Sequence, residues 1–133
     1  MAYEESLRSI SLDADATLGI YTGVPGTPGA ANPNSGKQYC WVKVTGEHTV
    51  GLSTAATDTV IGIVQNKPQG LGHAATVGFS GVSKSVCGAA VPAGSKVQPD
   101  ANGNSIVAAT GASFGTALAT GVTGGIIPVL LDK

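Results

Sequence analysis

The sequence is short of charge and of large side chains. Asp, Glu, Lys and Arg make up 11% of its 133 residues and the formal net charge is -1, where an ordinary soluble domain carries roughly a quarter charged residues. Nucleic acid is held by clustered Lys and Arg that release counterions from phosphates. The seven cations here are scattered, so no nucleic-acid partner is expected. Disorder requires low hydrophobicity with high net charge, and this chain has the reverse. Aromatic residues are only 5%, with one Trp, two Phe and one Met, so the expected core is thin and built from Val and Ala. No apolar run reaches the eighteen or so residues a membrane helix needs, and no membrane partner is expected. The first residues, MAYEESLRS, place acids where a secretory signal needs cations, which points to folding in the cytoplasm. Cys40 and Cys87 stand far apart, neither in a CxxC pair, and read as half-buried small hydrophobes with no metal role, a disulfide between them being the alternative.

What the sequence has instead is glycine, 20 residues of it, and short apolar segments. Residues 1–20 space Tyr3, Leu7, Ile10, Leu12 and Leu18 through a polar stretch, which reads as an extended N-terminal arm leading into a first strand. Residues 21–38 form a loop rich in Pro, Gly and Asn, a composition that supports neither helix nor ladder. From Tyr39 to the end the pattern is period two, with "YCWVKV", "TVIGIV", "ATVGF", "FGTAL" and "IIPVLL" short segments bounded by turn residues, the mark of half-buried strands. No segment carries a helical stripe. In "TVGFSGVSKSV" the alternation changes phase at Ser80-Gly81, as a bulge or a two-residue hairpin would make it do.

Lys43-Val44, Ala55-Ala56-Thr57 and Gly62 recur 53 residues later as Lys96-Val97, Ala108-Ala109-Thr110 and Gly115. The expectation is a single all-β domain: a small closed barrel or sandwich of short antiparallel strands, with an internal pseudo-repeat and the arm in front of it. Residues 39–133 form its body.

Each motif that suggests chemistry fails on its own requirements. Asp100-Ala-Asn102-Gly-Asn104 begins like an EF-hand loop, but the obligatory glycine and the bidentate glutamate would fall at Ser105 and Gly111; a turn between two strands accounts for it. "GLGHAA" copies a dinucleotide fingerprint but precedes a strand where that fingerprint needs a helix. "GASFG" around Ser113 copies a nucleophile elbow, with no histidine after it. His48 and His73 lack neighbours that would orient them and read as loop histidines. No catalytic residue, no cofactor and no metal are expected, and the chain is not read as an enzyme.

The C-terminal half carries a larger pattern. Gly81-Val82, Cys87-Gly88, Val91, Ala93-Gly94, Val97, Asp100-Ala101, Gly103, Gly115, Ala117-Leu118, Gly125 and Ile127 with Val129-Leu130-Leu131 together resemble the small capsid decoration proteins of tailed phages, also called head-stabilising or cement proteins. The resemblance implies a compact β-domain, most often a homotrimer with a dimer as the alternative. Such a protein sits on the outer surface of the expanded head in the virion and bridges subunits of the major capsid protein. On that reading the capsid contacts fall to Tyr3, Leu7, Ile10 and Leu12 of the arm, which would add a strand to a capsid edge, and to Pro25, Pro28, Asn32 and Asn34 of the loop. The competing reading is a small β-barrel carrier enclosing an apolar ligand; Tyr39, Trp41, Phe79 and Phe114 are few aromatics for such a lining.

Overall fold

The structure is a computed structural model and describes residues 6–20, 37–109 and 113–132. Those residues form nine strands and no helix, as the segment pattern predicts. In chain order they are β1 (Leu7–Ala14), β2 (Trp41–Gly46), β3 (Thr49–Leu52), β4 (Val60–Val64), β5 (Ala74–Val86), β6 (Lys96–Pro99), β7 (Ser105–Val107), β8 (Gly115–Ala117) and β9 (Ile126–Leu131). The hydrogen-bonded order is β1-β3-β2-β4-β5-β9-β8-β6-β7, and β1 also pairs with β5. That extra pairing closes the first five strands into a barrel.

β5 belongs to two rings. Its first part pairs with β1 and, at Val77 and Gly78, with β4; its last part, Val82 to Val86, pairs with β9. The change of partner occurs at the phase shift read from the sequence, just after a bulge: opposite β1 the register steps from Gly78 to Ser80 and skips Phe79, and Gly81 then adopts φ +101°. A Cβ at Gly81 would also strike the carbonyl of Ser6, so both backbone conformation and space require glycine. Beyond the bulge, β9, β8, β6 and β7 form the second ring with the end of β5. A parallel bridge from Cys87 to Ser105 closes it, supported by the Gly88 N–H donating to the Ser105 carbonyl at 2.8 Å.

The pseudo-repeat is visible in this connectivity. The order β3-β2-β4-β5 of the first unit returns as β7-β6-β8-β9 in the second. The parallel pairing of β1 with β3 has its counterpart in the Cys87–Ser105 bridge. Gly62 on β4 and Gly115 on β8 both sit where a facing carbonyl, of Gly78 or of Leu130, leaves no room for a side chain. The registers differ by a few residues, so what repeats is the order of strands.

Period-two alternation distributes the core. Val42 and Val64 point into the first barrel with Leu18, Val50, Ala75 and Val77. Their chain neighbours Trp41 and Ile63 point the opposite way and join Val60, Val91, Val97, Ile127, Val129 and Leu131. The start of β2 and the end of β4 are thus buried on both faces, which is why "CWV" and "GIV" are continuous apolar runs. The barrels are packed side by side through Trp41, which is 1% exposed. The turn expected at Asp100–Asn104 also holds: β6 and β7 form a hairpin around it, with Val97 opposite Val107 and Pro99 opposite Ser105.

Candidate functional site

The part of β5 beyond the bulge reverses the usual sidedness of a strand. Ser83 and Ser85 are buried, while Val82 and Val86 are only half-buried and Lys84 is exposed. The serines face the seam, where each has hydrogen-bond partners. Trp41 Nε1 donates to Ser105 Oγ at 2.7 Å, Ser105 Oγ lies 2.5 Å from Ser85 Oγ, and Gln65 Nε2 donates to Ser83 Oγ at 2.8 Å. A satisfied polar group is tolerated in the interior, so the valines are left to face out.

On β9 the outward side continues the same surface. Leu130 lies opposite Val82, and Ile126 opposite Val86. Ile126 is 54% exposed, and Leu118 and Val122 on the adjoining segment are exposed as well. β9 therefore carries apolar side chains on both faces, with Ile127, Val129 and Leu131 filling the second barrel. A strand of that composition is ordinarily covered on both sides, and a contiguous exposed apolar patch marks an interaction surface.

A second feature lies on the seam. A half-open cleft of about 240 Å³ is lined by Trp41, Val60, Phe79 and Phe114, with Ser113 and Asp132 among its polar groups. Trp41 and Phe114 stack tilted, 6.0 Å between ring centres. The Ser113 hydroxyl donates to Asp132 Oδ2 at 3.2 Å, and Lys96 Nζ is 3.5 Å from Asp132 Oδ1. The barrel interiors are filled by side chains, and the cleft is smaller than the roughly 300–1,000 Å³ typical of small-molecule pockets. Of the four aromatics Tyr39, Trp41, Phe79 and Phe114 weighed above as a ligand lining, the last three do meet here, a convergence that pattern reading could not supply.

The remaining candidates resolve into structural parts. Asp100 Oδ1 accepts from the N–H groups of Asn102 and Asn104 at 2.8 and 3.0 Å, so the EF-hand-like run is a carboxylate-braced turn. His48 sits in the β2–β3 turn at φ 50°, and its carbonyl accepts from the Asp13 N–H. "GLGHAA" runs straight into β5. No group of three metal-ligating side chains occurs among the described residues. Burial raises the Cys40 thiol to about 11, against a smaller opposing pull from Lys37, and burial also raises Cys87. Thiols held up in this way are poor nucleophiles.

Of the arm residues, Leu7 packs against the seam core and Leu12 against the first-barrel core, while Ile10 is exposed on β1. Tyr3, Pro25, Pro28, Asn32 and Asn34 lie outside the described residues.

Comparison of folds places this architecture beside a known one. The N base of the head fiber gp8.5 of bacteriophage phi29 superposes with a TM-score of 0.65, covering 96% of this chain and 95% of that one, at 12% sequence identity. What they share is the fold. No protein-family model matches the sequence, and no curated protein does.

Proposed function

We propose that this chain is a structural protein of a phage head, a decoration protein that binds the outer surface of the expanded capsid. It assembles with identical copies and ties neighbouring subunits of the major capsid protein together. The observation that carries this reading is the apolar outer side of β5 and β9, which displays Val82, Val86, Ile126 and Leu130 while serines fill the interior behind them. Such a face is stabilised by being covered, either by a copy of the chain or by the shell. Two further supports are the fold in common with the N base of a phage head fiber and the decoration-protein pattern in the C-terminal half. The carrier reading loses ground because side chains fill both barrels.

The arm and the loop at 21–38 supply the capsid contacts in this proposal, multiplying weak grips when several copies act together. β1 is hydrogen-bonded along β5 from Leu7 to Asp13, so trimming the arm would open the first barrel. A surface substitution isolates the contact better. Ile10→Asp should weaken binding to purified expanded heads about tenfold, as loss of one apolar contact does, with the melting temperature unchanged. Co-sedimentation of the protein with expanded heads, alongside light scattering of the free protein, tests the whole reading. Failure to sediment with the heads, or a lone monomer that stays monomeric on them, overturns it.

A further inference from the structure

We propose that the cleft at the seam takes one arginine side chain presented by a protein partner. Three aromatic rings contribute to its walls, the half-buried Phe79 and Phe114 and the buried Trp41, with Val60, Ile61 and Leu131 as aliphatic lining. Its polar end is a carboxylate, Asp132, which is exposed at the lip. Aromatic faces attract cations through their quadrupole. A guanidinium, being planar and weakly hydrated, stacks on rings while its fork of donors pairs with a carboxylate; an ammonium does neither as well. At about 240 Å³ and half-open, the cleft is sized for one side chain reaching in from a protein surface.

Two groups already touch Asp132, one on each carboxylate oxygen. Lys96 reaches it across 3.5 Å from an exposed position, a long, solvent-screened pair of little energetic weight that a bidentate partner displaces. The Ser113 hydroxyl donates to the other oxygen and serves to hold the carboxylate in place. In the free protein Lys96 thus occupies the position the arginine takes over.

This deepens the capsid-binding reading and rests on it only for the identity of the partner. The experiment therefore has two arms. In the first, N-acetylarginine amide is titrated into the full chain and followed by emission of Trp41, the chain's single tryptophan, and by backbone amide shifts. Saturable change is expected with shifts confined to the cleft. N-acetylcitrulline amide, neutral and of the same shape, should bind at least about tenfold more weakly, the discrimination expected of a charge-assisted pair. Asp132→Asn, an exposed change that leaves the core intact, should remove the preference for arginine. Equal response to both amides, or no saturation with either, overturns the proposal. In the second arm, Asp132→Asn should weaken sedimentation with expanded heads; unchanged binding there overturns the assignment of the cleft to that partner. Saturable arginine binding by a protein that ignores heads would leave the cleft standing and remove the capsid reading.

Discussion

Trp41 shows how much a single residue holds in this thin core. Its ring fills the seam and its Nε1 anchors the serine pair behind β5. Trp41→Phe should cost about 2 kcal/mol in urea unfolding, combining lost volume with a lost buried hydrogen bond. The Ser85–Ser105 contact survives that change, so the loss should stay below the cost of Trp41→Ala. Asp58 behaves differently. Its carboxyl lies below the usual range, chiefly because the Thr54 N–H donates to it, with Lys43 and Ser53 adding to the effect against a smaller cost of burial. A lowered carboxyl stabilises the fold above its unfolded value, near 4, and that contribution fades as pH falls through the folded value. Asp58→Asn should therefore cost about 1 kcal/mol near neutrality. In urea midpoints measured below about pH 4 its gap to the parent should close.

Among the elements, β5 is where local rules and the final structure part company. Gly81→Ala should destabilise the protein by about 2 kcal/mol or more, from positive φ combined with collision against the Ser6 carbonyl. Amide exchange should then rise first in β1, whose pairing with β5 begins at Gly81, opposite Leu7. The bulge itself was legible, because a phase change in alternation has few physical causes. So were the strands at "YCWVKV", "TVIGIV" and "IIPVLL", though the period-two pattern makes them half-buried, and only the packing of the two rings buries "CWV" and "GIV" on both faces. The direction of the last part of β5 was not. Alternation alone would bury Val82 and Val86, and only the hydrogen bonds offered by Trp41, Ser105 and Gln65 explain why Ser83 and Ser85 are inside instead. The cleft was hidden for a related reason: Trp41, Phe79 and Phe114 come from three distant parts of the chain, and their meeting depends on how the barrels pack.

At the level of the whole molecule, one strand is common to both rings, and the shared core at Trp41, Val60 and Ile63 crosses the seam. Thermal unfolding should accordingly be a single transition, with calorimetric and van't Hoff enthalpies equal. Two resolved transitions would mean the barrels melt apart. The repeat legible in Lys43-Val44 and Lys96-Val97 thus describes two units that are alike in strand order and inseparable in stability. There is a mechanical side to β5 as well. Because one unbroken peptide passes through both rings, a load applied at one end reaches the other along covalent bonds, and the ladders flanking it must slip together before anything yields. A protein fastened to a shell under outward pressure from within would lie there as a stiff rivet.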